Sequence, residues 1–480
     1  MNLSRRIYRL SPSQLSAETI AVTFAKTSRS PEAFDQIAAE LDAEKSSKFS
    51  EKWIVGYGHS SVAEHAVLHL ALENISRLAI ETLESNRLAS YTEKSTRYQE
   101  WNPEAWVLPP EIAASRFEAK YRSVMSLLFQ GYAEAMTALR AWSENATERL
   151  ADESEKAWQN RARVKAVDVG RFFLPAAAMA NVGVTINARA LEYAIKKLLS
   201  SELEEVRQIG SEVKAVATQE LPTLVKYANP IESLPGIRSR LRAEAGRIAA
   251  APDPAWCRLL GAEPAGEDQV LAAALMRFSG RNYAECLAHV RGLADQEKAA
   301  LVQDILGQLS DFDVPLRELE YAHYDFELVM DQGAYFEFKR HRMMTQTPQA
   351  LSTRLGYAVP RSMSMAGVES LYRQAMDAAA ELFEELSAQY PEAAAYIVPN
   401  GYNRRVLCRL NLRELFHFTK LRANANAHFS IRRVALRMAE LASAAHPLFC
   451  SRLCLPAGEN ADRLTSEYFT EVAARPDRSS

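Results

Sequence analysis

Cysteine is scarce: five among 480 residues, at positions 257, 286, 408, 450 and 454. An odd, unpatterned handful excludes a disulfide-built scaffold and predicts reduced thiols in a cytoplasmic protein. Cys450 and Cys454 stand four apart with no further ligand at zinc-type spacing, so they read as structural and no metal is expected. Long apolar runs are missing too. None reaches the roughly 18 residues that cross a bilayer, so no membrane partner is expected. The start, MNLSRRIYRLSPSQLS, has arginines without an apolar segment behind them, unlike a secretory signal. Charge of one sign is also lacking. With 57 Lys+Arg against 60 Asp+Glu the net charge is −3, so no global basic field argues for nucleic acid.

What is present is a hydrophobic fraction of 48% with 24% charged residues, the balance of a soluble globular protein. The length suits two domains of roughly 200 residues each. Pro230, Pro235, Gly236, Pro252, Pro254, Gly261, Pro264 and Gly266 cluster between them. This predicts a first domain over 1–230, a linker over 231–268 and a second domain over 269–480. Helices are expected at Glu111–Ala141, Leu150–Val167, Asn187–Glu220 and Ser370–Gln389, rich in Ala, Leu, Glu and Lys. The runs Ala66–Leu72 and Tyr324–Met330 alternate and read as strands. The class is α+β: helix-rich, with small central sheets.

The two halves repeat each other. Arg87–Tyr98 reads RLASYTEKSTRY, and Arg340–Tyr357 reads RHRMMTQTPQALSTRLGY. Leu174-Pro175 precedes Asn187-Ala-Arg189, and Val398-Pro399 precedes Asn411-Leu-Arg413; each Asn lies twelve residues after its Pro. Neither copy is complete. The first has Ser85, Asn86 and Leu198 where the second has Arg340, His341 and Arg422, whereas the second has Ala395 where the first has Arg171. A duplicated chain building one composite site from complementary remnants is the simplest account.

Several clusters can carry chemistry. Arg340 and Arg342 flank His341, and two planar guanidiniums suit phosphate as well as they suit a solvated basic turn. Glu93, Lys94, Ser95, Thr96 and Arg97 offer a carboxylate, hydroxyls and cations in one loop, which fits phosphate binding or a capped, salt-bridged turn. His59 and His65 beside Glu64 are not spaced as helical metal ligands; hydrogen bonding to a ligand or to backbone fits better. On a helix, Arg413, His417 and Lys420 share one face, and Asn411 and Arg422 another.

Together these segments resemble the flavin-dependent thymidylate synthase family, whose signature runs RHR, then Ser, Glu, Ser, Arg and Tyr. The match passes through Gly58–Gln99, through RHR at Arg340–Arg342 and through Val406–Arg432. The resemblance implies two tandem α+β family domains, FAD as cofactor, and reductive methylation of dUMP with methylenetetrahydrofolate and NADPH. It places Glu93, Lys94, Ser95, Thr96, Arg97 and Arg171 at the nucleotide, with Glu337 beside it. Arg340, His341, Arg342, Asn411, Arg413 and His417, with His59 and Ser61, fall to the flavin, and Arg422 activates the pyrimidine. Family members are homotetramers, so a tandem chain is expected to form a homodimer that mimics one. Glu337 stands where the family often has Gln; a carboxylate there could exclude dUMP or select another ligand. Two alternatives stay open: a flavin- and folate-dependent enzyme on another pyrimidine, and a pseudoenzyme that only binds FAD or nucleotide.

Overall fold

The computed structural model of the chain describes residues 6–28, 30–51, 60–249, 255–310 and 312–475. The described residues fall into two compact units that do not follow the sequence halves. One comprises those of Met1–Ser95, Ala105–Glu118 and Ala177–Ala250; the other, those of Thr96–Glu104, Ala119–Ala176 and Ala251–Ser480.

In the first unit a three-stranded antiparallel sheet has the order β1-β3-β2, with β1 Val67–Ser76, β2 Ala89–Glu93 and β3 Met179–Asn187. Strands β1 and β3 each run straight into a helix, because their last residue is a cap. Ser76 accepts from the Ala79 N–H to open Arg77–Glu84, and Asn187 accepts from the Ala190 N–H to open Ala188–Leu199. The second unit repeats the scheme around a larger sheet of order β4-β5-β8-β6, with β4 Cys257–Ala262, β5 His323–Asp331, β6 Thr345–Pro348 and β8 Asn403–Asn411. Asp331 caps the helix Gln332–Phe338 and Asn411 caps Leu412–Arg422, the counterparts of Ser76 and Asn187. A separate pair, β7 Tyr357–Pro360 and β9 Phe469–Ala474, closes one side. The main core lies between the larger sheet and Phe429–Ala445, where Phe326, Leu328, Val406, Leu415, Phe418, Ile431 and Val434 are buried.

Boundaries differ from the pattern for local reasons. The helix expected from Glu111 begins only at Glu118, because Ala114 adopts a left-handed φ of 58° and its N–H bonds the Glu118 carboxylate. The run Asn187–Glu220 folds as two helices, Ala188–Leu199 and Glu204–Glu220. They approach so closely that a Cβ on Gly210 would sit 2.8 Å from Leu198 Cβ. The stretch expected as a linker holds a helix, Leu234–Ala245, and strand β4, which pairs with β5.

The first repeat's helix Glu155–Gly170 belongs entirely to the second unit. Its continuation, Arg171-Phe-Phe-Leu-Pro175, is joined to the homologous Val398-Pro-Asn400-Gly401 by four backbone hydrogen bonds or bridges. Ala176 N–H meets Val398 C=O at 3.0 Å, Asn400 N–H meets Leu174 C=O at 2.9 Å, Gly401 N–H meets Phe172 C=O at 3.1 Å, and Pro175 faces Pro399. Equivalent residues of the two repeats thus pair with each other, as they do across a two-fold axis. Gly401 is required at this junction, since a Cβ there would lie 2.0 Å from the Tyr372 hydroxyl.

Candidate functional site

That junction aims the residue before it, Arg171, into the second unit's interior. Its side chain is 2% exposed, and its Nη1 lies 3.5 Å from Glu337 Oε1. The other Glu337 oxygen accepts from Arg422 Nη1 at 3.2 Å. Arg422 Nε in turn donates to His341 Nε2 at 3.0 Å, and His341 Nδ1 lies 2.9 Å from Glu414 Oε1. Because Nε2 accepts, the proton must sit on Nδ1, so His341 is the neutral tautomer that donates to Glu414. Burial lowers the His341 pKa, Glu414 opposes this, and the charge of Arg422 reinforces it. One unbroken chain of contacts therefore runs Arg171–Glu337–Arg422–His341–Glu414, with Arg171 from the first repeat and the rest from the second.

Asp168 precedes Arg171 by three residues at the same helix end, and Arg97 grips it with two bonds, Nε at 2.7 Å and Nη2 at 2.9 Å. Burial pulls the Arg97 pKa down, but the Asp168 contact and charge overcome it and the net shift is upward. Glu337 adds to that upward shift, and Arg97 in turn lowers Arg422, so Arg97 lies within electrostatic reach of both. Behind this layer His428 is fully buried. Its Nε2–H donates to the Asp168 carbonyl at 2.9 Å while Nδ1 accepts from the Ser430 N–H at 3.1 Å, and the Ser430 hydroxyl bonds Asp331.

Beside the chain lies a cavity of about 690 Å³ lined by Asn411, Arg413, Glu414, His417, Lys420 and Arg452 together with Met343, Phe416 and Leu421. Arg413, His417 and Lys420 face it together, as their spacing predicts. Glu414 belongs to both cavity wall and contact chain, and the His417 ring meets His341 edge-on at 5.5 Å. Its three cations face three acids, Asp313, Glu320 and Glu414, among apolar and aromatic walls, a lining that suits a flat organic group with both donors and acceptors. Arg413 is partly committed, to Glu320 at 2.8 Å and the Pro315 carbonyl at 2.9 Å, and the Asn411 side-chain Oδ1 caps its helix by accepting from the Glu414 N–H at 2.8 Å. A larger cavity of about 900 Å³, near Tyr283, Glu318 and Tyr321, contains none of the expected site residues.

The other expected residues are placed as follows. Arg340 is exposed and Arg342 half-buried, flanking buried His341. Thr96 is buried in the second unit beside Arg97. Glu93, Lys94 and Ser95 belong to the first unit, where Glu93 forms an ion pair with Arg77 at 3.1 Å, both side chains 2% exposed. Ser61 is exposed in a short turn of the first unit, and His59 lies outside the described residues. Sequence reasoning missed Asp168, Glu414, Asp331 and His428. Asp168 had a usable signal, an acid one helical turn before a candidate arginine. Among the described residues no three His, Cys, Asp or Glu side chains converge as metal ligands, and no helix is long and apolar enough to cross a membrane.

A family model described as thymidylate synthase complementing protein matches residues 10–223 and 258–448. Over 433 residues the chain is 30% identical to a protein of Chlamydia muridarum called UPF0159 protein, covering 86% of this chain and 82% of that one. A flavin-dependent thymidylate synthase of Clostridium tetani is 27% identical over 214 residues, covering 44% of this chain and 82% of its own length. A solved Helicobacter pylori flavin-dependent thymidylate synthase, complexed with FAD and dUMP, aligns with 42% of this chain and all of its own at 16% identity and a TM-score of 0.32, too slight a likeness to carry argument.

Proposed function

The chain belongs to the family of thymidylate synthase complementing proteins, and we propose that it is a flavin-dependent enzyme of the thymidylate synthase type with one composite site. The observation that carries this reading is the single carboxylate, Glu337, held between Arg171 of one repeat and Arg422 of the other, beside the cavity lined by Asn411, Arg413 and His417. In this reading FAD is held by Asn411, Arg413 and His417, with Arg340, His341 and Arg342 next to them. When bound, it supplies hydride chemistry. The carbon comes from methylenetetrahydrofolate, the reducing equivalents from NADPH, and dUMP is the first acceptor to test.

The chain's own residues supply position and field. Arg422, fixed by His341 on one side and Glu337 on the other, stabilises negative charge developing on the uracil ring, which sharpens C5 as the attacking carbon. Arg97 and Arg171 orient the pyrimidine from the first repeat's side. A homodimer restoring four family domains is the assembly this reading expects.

The test is purification followed by a flavin absorption spectrum and transfer of labelled carbon from methylenetetrahydrofolate into dUMP with NADPH. A yellow protein that labels dUMP supports the reading; a colourless, inert one makes it a pseudoenzyme. One observation favours a second reading, in which the acceptor is another pyrimidine: Glu337 already occupies the arginines that a nucleotide would need. A yellow protein that never labels dUMP is its signature.

A further inference from the structure

Resting on the flavin-enzyme reading, we infer that Glu337 sets the charge of the ligand, so that the site takes a pyrimidine base or nucleoside without a phosphate. Glu337 is 6% exposed at the end of the helix Gln332–Phe338, and its two oxygens are divided between Arg171 and Arg422. The remaining charges nearby are already matched. Arg97 is spent on both oxygens of Asp168, and Arg422 Nε on His341. Three guanidiniums thus meet two carboxylates, with buried Asp331 as a further acid whose charge Arg171 feels. Within this buried cluster each guanidinium already faces an acid, and the further cation that Arg422 feels, Arg340, lies at the surface.

Space argues the same way. Arg171 Nε and Nη2 are buried without hydrogen-bond partners, yet they lie against backbone: a Cβ on Gly333 would stand 3.4 and 3.3 Å from them. A tetrahedral phosphate, with three oxygens to satisfy, reaches this guanidinium only by displacing Glu337. A neutral pyrimidine asks for less. Its carbonyl oxygen needs one N–H, and its ring N–H or sugar hydroxyl needs an acceptor, which an ionised carboxylate is and an amide is only in part. The two faces of Glu337, acceptor to ligand and counter-charge to arginine, are compatible with such a ligand and incompatible with an anion. Replacing Glu337 by Gln keeps the shape but removes the counter-charge of two guanidiniums, so a phosphate displaces the neutral amide where it could not displace the carboxylate.

The experiment compares deoxyuridine, dUMP and inorganic phosphate on the full chain as purified, wild type and Glu337→Gln, by calorimetric titration and thermal melting. Wild type is expected to bind deoxyuridine at least as tightly as dUMP and to gain no melting temperature from phosphate. Glu337→Gln is expected to prefer dUMP over deoxyuridine by about tenfold or more, the worth of one charged hydrogen bond, and to be stabilised by phosphate. A wild type that prefers dUMP by such a factor overturns the inference, as does a variant whose order of affinities is unchanged. If neither protein retains a pyrimidine, the flavin-enzyme reading fails, and the phosphate response alone judges Glu337: a gain confined to the variant supports it, and equal responses overturn it. If the variant does not fold, wild type decides, because stabilisation by phosphate or a preference for dUMP overturns the inference and the absence of both supports it.

Discussion

The pair Arg97–Asp168 offers the sharpest energetic test of the site's construction. Two bonds of 2.7 and 2.9 Å join side chains that are 15% and 11% exposed, so the pair is largely removed from water. Truncating one partner of such a pair leaves the other charge buried and costs about 3–5 kcal/mol. Asp168→Ala falls at the upper end, because Arg171 also loses a favourable charge while its burial already lowers its pKa. Arg97→Ala falls at the lower end, because Arg171 still compensates Asp168 in part. Removing both leaves no such orphan, so the double variant is expected to lose no more than either single variant, at most about 3–5 kcal/mol, rather than the 6–10 of simple addition. The coupling of about 3–5 kcal/mol is measured by urea unfolding of the four proteins. Additive losses would refute the claim that these groups act as a buried unit, and with it the argument that Arg97 is unavailable to an anion.

Three further outcomes follow from the same geometry. Burial holds His428 neutral, with a pKa well below its usual value, and lowers His341 as well. The unfolded chain takes up these protons near pH 6.5 and the folded one does not, so stability is full above that pH. It falls as pH drops below it, by up to about 1.4 kcal/mol per pH unit for each histidine. Melting curves from pH 7.5 to 5 should show this slope, and His428→Gln should flatten it; an unchanged slope contradicts the assignment. Gly401→Ala puts a Cβ 2.0 Å from the Tyr372 hydroxyl and should cost about 3 kcal/mol or fail to fold, read by thermal melting. Arg422→Ala should abolish turnover of whichever pyrimidine is the acceptor, whereas Leu198→Arg at the equivalent place of the first repeat should leave the turnover number unchanged if the variant folds. Equal losses of turnover number in two folded variants would contradict a single composite site.

The repeat was legible in the sequence through the paired Ser-Thr-Arg motifs and the shared Pro-to-Asn spacing, and in the structure β1, β3, β5 and β8 each end on a residue that caps the following helix. Ser76, Asn187, Asp331 and Asn411 mark the strand–helix joints, and the shared Pro-to-Asn spacing fixes two of them. Candidate site residues were legible where charge stands out against an apolar run, as at Arg171 and Arg422. The partners that decide their chemistry were not. Asp168, Glu414 and His428 look like ordinary helix-surface or cap residues in one dimension, and only packing against segments from 71 to 260 positions away turns them inward. The compact units were also hidden, because the helices Glu118–Asn145 (from Ala119 on) and Glu155–Gly170 fall in the second unit and not with the first repeat's sheet, a consequence of packing that local periodicity does not encode.

The first repeat carries a different contact on the same scaffold. Where the second repeat joins His341 to Arg422, the first joins Asn86 to Lys197, the residue before Leu198, at 3.0 Å. The tie between the helix that follows the first strand and the helix that follows the third therefore persists with different chemistry. Burial pulls the Lys197 pKa down to about 8, so this cation is weakly held, and a flexible ammonium offers no planar fork. Leu198 meanwhile fills the interior completely, where Arg422 stays 18% exposed at its outer end. A scaffold contact needs only a donor and an acceptor, which Lys and Asn provide. A site that stabilises charge on a ring needs a fixed guanidinium with an edge left for a ligand, and only the second repeat retains one.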